Sequence, residues 1–566
     1  MTRRVELHPA AGLSRRRLLA VAPAAFAGLL AACRDRSGRA SERPDGADGT
    51  RTTQPPAATS APTTAPTTAR PPKLVAAVAT PGSGGLDRDP FRLGVASGDP
   101  LPDSVILWTR LNCEPTAPDG GLGAAAEHDL QVVWDVAEDP EFTRILASDL
   151  ATAAARDGHI VHVDVTGLPA DRWFHYRFRM GRFTSRTGRT RTAPAPDARP
   201  DRFVAAVAAC QHFELGTYVA HRHLAAEGAD LVIFLGDFIY EGPAGFADTR
   251  VRAHPTAEAL DLASYRLRYA WYRRDEDLQA AQACAPWAVI WDDHEVVNNY
   301  AGDRPSEGEP SPAFAARRAA AYQAWWENQP VRLARPDAVH GIERELSWGR
   351  LARLVLLDGR SHRSPQACEG RVGTSCDHLD DEDRTMLGPT QEAWVDSRFA
   401  ASAADDVTWT VLGNQTVLAD LTFPLAVVPS TLFDQWDGYP AARRRLLTAA
   451  RNRGVRNLVA LTGDLHCSVA ADLELGGDLV GSELVVSSIS SSFAGNRGDL
   501  FELGLSVLDH VKLADTRRRG YVRAEFGAEE ARFVFRHVLD VRDPASAIAS
   551  TSSWRLADTR RGLRKA

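Results

Sequence analysis

Four short stretches of this chain end an apolar run with side chains that can hold a metal ion. Residues 203–209 run into Cys210-Gln211, and 231–235 into Gly236-Asp237-Phe238-Ile239-Tyr240. Residues 288–291 run into Asp292-Asp293-His294-Glu295, and 458–461 into Thr462-Gly463-Asp464-Leu465-His466. Together they offer a thiol, a phenol, imidazoles and carboxylates, a mixture of soft and hard donors. Adjacent acids such as Asp292 and Asp293 repel one another unless a cation stands between them. Asp464 and His466, two apart on an extended segment, present their side chains on one side. Each pattern alone has a plain alternative, a turn or a solvated acidic loop. Coincidence explains poorly why all four follow apolar strands.

The elements that must position these groups read as an α/β body. Further buried-strand runs lie at 352–357, 408–412 and 484–486, alternating with amphipathic helical runs at 216–227, 263–283, 313–327, 391–401 and 440–451. In such a sheet the loops at strand carboxyl ends open on one crevice, so four distant segments can deliver ligands to one point. Ahead of this body, residues 91–194 alternate apolar and polar in short β-rich runs, as at 104–109, 131–136 and 160–165. Within it, 168–178 resembles a stretch of fibronectin-type sandwiches.

The first residues read as an address. Ser14-Arg15-Arg16-Arg17-Leu18-Leu19 resembles a twin-arginine export signal, followed by a short apolar run to Ala32 that suits a signal peptide. Leu30-Ala31-Ala32-Cys33 resembles a lipobox, with Cys33 lipidated after cleavage; the alternative is a plain cleavable signal. The following residues are rich in Pro, Thr and Ala, with little apolar bulk to bury, and read as a disordered tether. The expected organisation is therefore a signal over 1–33, a linker over 34–88, a β-sandwich over 89–195, a catalytic domain over 200–545 and a tail over 546–566.

Charge sets limits on partners. The chain carries −7 overall and only three lysines, and removal of residues 1–32, with five arginines against Glu6, leaves −11. That argues against a general nucleic-acid or anionic-membrane surface. Of seven cysteines, Cys368 and Cys376 stand close together; they could pair in an oxidising compartment or be two free surface thiols.

The order and wording of the motifs resemble the PhoD-like alkaline phosphatases, a branch of the calcineurin-like metallophosphoesterases. The likeness covers 91–539 and includes Leu93-Gly94-Val95-Ala96-Ser97-Gly98-Asp99-Pro100, Asn298-Asn299-Tyr300, Asp358-x-Arg360-x-x-Arg363 and Trp436-Asp437-Gly438-Tyr439-Pro440. The resemblance implies a four-layer sandwich of two facing sheets flanked by helices, preceded by the immunoglobulin- or fibronectin-like β-sandwich. It implies Fe3+ and Ca2+, with Cys210 as a thiolate ligand, Asp237 a bridging carboxylate and Tyr240 a phenolate ligand. Asp293, Asp464 and His466 would hold the remaining ions, with Asn298 on the calcium side. Phosphate mono- and diesters would be hydrolysed by metal-activated hydroxide, with inversion at phosphorus and no phosphoenzyme. His294 would bind phosphate or protonate the leaving group. Arg360 and Arg363 would grip phosphate oxygens. A monomer is expected, with the twin-arginine translocase as partner during export and the membrane reached through Cys33.

Two other readings compete. One is a phospholipase D-type phosphodiesterase acting on lipids or teichoic-acid-like polymers. The other is a lipoprotein that binds phosphate or metal without turnover, for which His294 has no use. Serine-hydrolase, zincin and NTPase readings fail: there is no G-x-S-x-G, no second histidine at zincin spacing after His294-Glu295, and no lysine in a phosphate loop.

Overall fold

The computed structural model describes residues 73–244, 250–306, 308–336, 341–370, 376–422, 432–493, 498–559 and 562–566. The export signal, Cys33 and most of the expected linker lie outside these residues.

Two large sheets carry the body. The parallel centre of the first comprises Arg202–Ala208, Leu231–Leu235 and Trp287–Ile290, with Ala205 opposite Leu231 and Val232 opposite Trp287. The second is parallel through Ala352–Leu356, Trp409–Asn414, Leu458–Thr462 and Asp478–Val485, with Leu461 opposite Leu484. These strands are buried along nearly their whole length, the pattern of parallel strands covered on both faces. The sheets share one apolar core, to which Val207 and Leu235 contribute from one and Val411 and Leu461 from the other. The fold is thus a mixed α/β sandwich. Helices Gly388–Ala404 and Pro440–Asn452 contact each other and the second sheet, and helix Val219–Ala225 contacts the first.

Several boundaries differ from expectation. The helix expected over 263–283 is two, Leu262–Arg273 and Glu276–Cys284, because the Asp275 side chain accepts from the Asp277 and Leu278 N–H groups and starts a new helix. The β-rich region before the body is not closed off by itself. Its strands Val95–Leu101, Ser104–Arg110 and Ile160–Thr166 continue the first large sheet, which reaches ten strands. The seam is at Gly98, paired with Trp287, where a Cβ would stand 2.6 Å from the Trp287 carbonyl oxygen; only glycine fits there. The other strands of this region form a five-stranded sheet packed over them through Val105, Val132, Val161 and Phe178. Part of the expected linker is held as well: the Val75 N–H donates to the Ile145 carbonyl, and Arg179 donates to that of Val78. The expected tail is structural, since Ile548–Ala557 pairs with Glu530–Val538 and buries Trp554 and Leu556. Cys368 and Cys376 are joined as a disulfide.

Candidate metal centre

The parallel strands of both sheets deliver their carboxyl ends to one place. Cys210, Asp237, Asp464 and His466 each follow such a strand, and each has a left-handed backbone, with φ of 57°, 57°, 60° and 54°. That conformation is uncommon for residues with a Cβ, and four such positions in one centre mark a site where surrounding contacts override local preference. Gly463 lets the two sheets close at this point: a Cβ there would lie 2.9 Å from the Ala209 Cβ and 3.2 Å from the Leu235 carbonyl oxygen.

Three groups of side chains have donor atoms within 4.8 Å of one another: Cys210 with Asp237 and His466, Asp237 with Asp293 and His294, and Asp292 with Asp293 and Asp464. Asp237 belongs to the first two and Asp293 to the last two. Tyr240 joins the first group, its hydroxyl lying 2.7 Å from Asp237 Oδ2 and 2.9 Å from His466 Nε2. The structure therefore brings together the six expected donors Cys210, Asp237, Tyr240, Asp293, Asp464 and His466. Asn298 is exposed and meets the centre through its backbone N–H, which donates to Glu241 Oε1 at 2.9 Å.

The donor set fits cations. Burial, then Asp237 and Asp464, push the Cys210 thiol well above its usual pKa. Burial, then Asp237 and Cys210, do the same to the Tyr240 phenol. A neighbouring cation is what lets such groups ionise. Asp292 Oδ2 is buried and has no hydrogen-bond partner among the described residues. Phenolate and carboxylate suit a hard trivalent ion, and calcium takes several oxygens in relaxed geometry.

His294 sits beside the donors with its Nδ1 2.7 Å from Glu241 Oε2. Burial opposes its charge, but Glu241, Asp293 and Asp237 outweigh burial and hold its pKa well above the ordinary value.

Both arginines stand against acids. Arg360 is fully buried and its guanidinium is spent on acids: it contacts Asp292, lies 2.8 Å from Asp434 Oδ2 and 2.9 Å from Asp464 Oδ1, and is 3.7 Å from Asp293. Arg363 is buried too, donating to Asp434 at 2.7 Å and to the Asn299 and Tyr300 carbonyls. In this structure both guanidinium groups hold carboxylates, and the Arg363 Nε–H is buried with no acceptor among the described residues.

Sequence reasoning missed several supporting residues. Glu295 accepts N–H bonds from Asp237, Phe238 and Asp292 and so ties two ligand loops together. Glu241 directly follows the stretch that ends in Tyr240, and Glu295 closes Asp292-Asp293-His294-Glu295; an acid next to ligands is the available signal. Asp434 stands two positions before the Trp436-Asp437-Gly438-Tyr439-Pro440 motif and carries no signal of its own. Ser491 and Ser492 lie six and seven residues beyond the end of strand Asp478–Val485, too far along to share the signal of the recognised ligands.

The family described as PhoD-like phosphatase matches residues 205–535, and its N-terminal domain matches 77–194. Alkaline phosphatase D of Bacillus subtilis (strain 168) is 39% identical over 490 residues, covering 84% of this chain and 82% of that protein. A solved structure titled "Structure of PhoD" superposes with a TM-score of 0.79 at 38% identity, covering 85% of this chain and 93% of its own.

Proposed function

The chain belongs to the PhoD-like phosphatase family and is a phosphoric ester hydrolase; from this premise we propose that it cleaves phosphate mono- and diesters outside the cell with more than one bound cation. The observation that carries the reading is the place of Asp237, shared between a donor group with a thiol, an imidazole and a phenol and a second group with Asp293 and His294. A carboxylate in that place can bridge two ions of different character.

Cys210, Asp237, Tyr240 and His466 would hold Fe3+, and Asp237 with Asp293 and Asp464 would hold Ca2+, which Asn298 could join only by turning its exposed side chain inward. Bound there, the ions supply positive charge that favours ionisation of water and offsets charge building on the phosphoryl oxygens. His294 has its Nδ1 committed to Glu241, which leaves Nε2 to hydrogen-bond a phosphoryl oxygen or give a proton to the departing alkoxide. Glu295 keeps the Asp237 and Asp292 loops at fixed separation, and Arg360 balances the acids behind them. No protein nucleophile is invoked, so inversion at phosphorus is expected.

The sheet pair with its helices is read as the four-layer metallophosphoesterase layout, and the five-stranded sheet with its partner strands as an immunoglobulin-like N-terminal sandwich. Export by the twin-arginine translocase, lipidation at Cys33 and a monomeric state complete the proposal; the twin arginines and the lipobox-like run support the first two.

A substrate panel tests the activity. The purified chain is given p-nitrophenyl phosphate, bis-p-nitrophenyl phosphate and phosphatidylcholine vesicles. Turnover of the monoester and the bis-ester is expected. Cleavage of phosphatidylcholine alone would move the assignment to a lipid phosphodiesterase, and turnover of none would leave a binding protein.

A further inference from the structure

The segment after strand Asp478–Val485 reaches the metal centre without carrying any of the expected donors. Ser491 is fully buried, with its Oγ 2.7 Å from Tyr240 Oη and 2.9 Å from the Cys210 carbonyl oxygen, and it accepts the His212 N–H at 3.1 Å. One residue on, the Ser492 carbonyl oxygen lies 2.9 Å from His466 Nδ1. A carbonyl can only accept, so that nitrogen carries the ring proton and Nε2 turns a lone pair toward Tyr240.

Tyr240 Oη therefore has three polar neighbours: Asp237 Oδ2, His466 Nε2 and Ser491 Oγ. An ionised carboxylate and an imidazole lone pair can only accept. Of these three described neighbours Ser491 alone can donate, and its single proton has the Cys210 carbonyl oxygen as the competing acceptor. When the phenol gives up its proton to bind a cation, the Ser491 hydroxyl is the group that can hydrogen-bond the oxygen left behind, and bonds to an ionised oxygen are the stronger kind.

We propose that Ser491 is a positioning residue of the metal centre. Its hydroxyl donates to the Tyr240 phenolate and sets how strongly that oxygen gives charge to the ion, while the adjoining Ser492 carbonyl fixes the His466 tautomer. The inference rests on the metal-binding reading above. Its neighbours supply a control: Ser490 Oγ donates to the His212 carbonyl at 2.9 Å and Ser488 Oγ to that of Ser491 at 2.6 Å, whereas Ser491 Oγ reaches the Tyr240 hydroxyl besides the Cys210 carbonyl.

The test compares full-length wild type with Ser491→Ala, Ser491→Thr, Ser491→Cys and Ser490→Ala, each produced with iron and calcium supplied. Elemental analysis, the visible absorption band of phenolate bound to ferric ion, and ion loss to a chelator are read for each. Ser491→Ala is expected to shift the band to longer wavelength and to bind the ion about 10- to 100-fold less tightly, the usual cost of removing an outer partner of a ligand. Ser491→Thr restores both readouts, and Ser490→Ala matches wild type. Ser491→Cys fills the same space with a weaker donor and shifts the band in the same direction, so the proposal stays testable if the alanine variant does not fold. An unchanged band and unchanged affinity in Ser491→Ala or Ser491→Cys overturn the proposal. A wild-type protein that binds no ion sinks the metal reading, and the role of Ser491 with it.

Discussion

The two ends of this site hold the same kind of acid in opposite ways. At one end Asp237 meets a phenol, an imidazole and a thiol, and Asp293 receives the Asn299 N–H at 2.6 Å. At the other, Asp292, Asp434 and Asp464 close on the buried guanidinium of Arg360. Taking a carboxylate out of water is costly unless a charge or strong hydrogen bonds replace the solvent. The second end has a cation of its own in Arg360, although Asp292 Oδ2 stays without a hydrogen-bond partner among the described residues and Asp464 also shares a donor group with Asp293. The first end gathers donors whose ionisation the surrounding acids oppose, and it reaches its working state only when an ion arrives. The lesson is that residue type does not decide what an acid does here; the charge beside it does.

Substitutions can break or sharpen that contrast. The largest effect is expected at His294, to which the proposed function gives the proton transfer. His294→Ala is expected to lower kcat by about 10²- to 10⁴-fold while elemental analysis finds the wild-type ion content. Loss of ions along with rate would make His294 a ligand and blur the division of labour.

Next comes Arg360. Arg360→Gln leaves buried carboxylates without their cation, and the ion-stripped chain should lose about 3–5 kcal/mol in denaturant unfolding. Added divalent cation should return part of that loss by binding the freed acids. Unchanged stability would mean that the two ends are not built differently after all.

The smallest effect is expected at Glu241, which acts through another residue. Glu241→Gln should cost about 10-fold in kcat with ions retained, the low end of what an outer partner contributes. A loss as large as that of His294→Ala would give Glu241 a direct part in the reaction.

Much of the site was legible because ligands sit immediately after apolar runs, where sequence and space coincide. The run at 231–235 is the strand Leu231–Leu235, and 203–209 is Arg202–Ala208 shifted by one. What could not be read depends on partners distant along the chain. Arg360 carries the same letter whether it faces phosphate or Asp434, 74 residues away. Nothing in the letter of Ser491 points to Tyr240, 251 residues earlier. The left-handed backbone at Cys210 and Asp464 is imposed by packing of two sheets, and local propensity argues against it. The N-terminal strands alternate as a sandwich does, and nothing local announces that three of them extend the catalytic sheet. The break at Asp275 was readable, since an aspartate followed by an acidic first turn is a helix start inside what otherwise reads as one amphipathic run.

The most direct test of the ion-dependent site begins with elemental analysis of natively purified protein. Chelator is then used to strip it, the ions are returned, and the rate of monoester hydrolysis is measured at each stage. More than one ion per chain, activity lost on stripping and regained on return is the expected result. A chain free of ions that hydrolyses the ester at its full original rate would contradict the account.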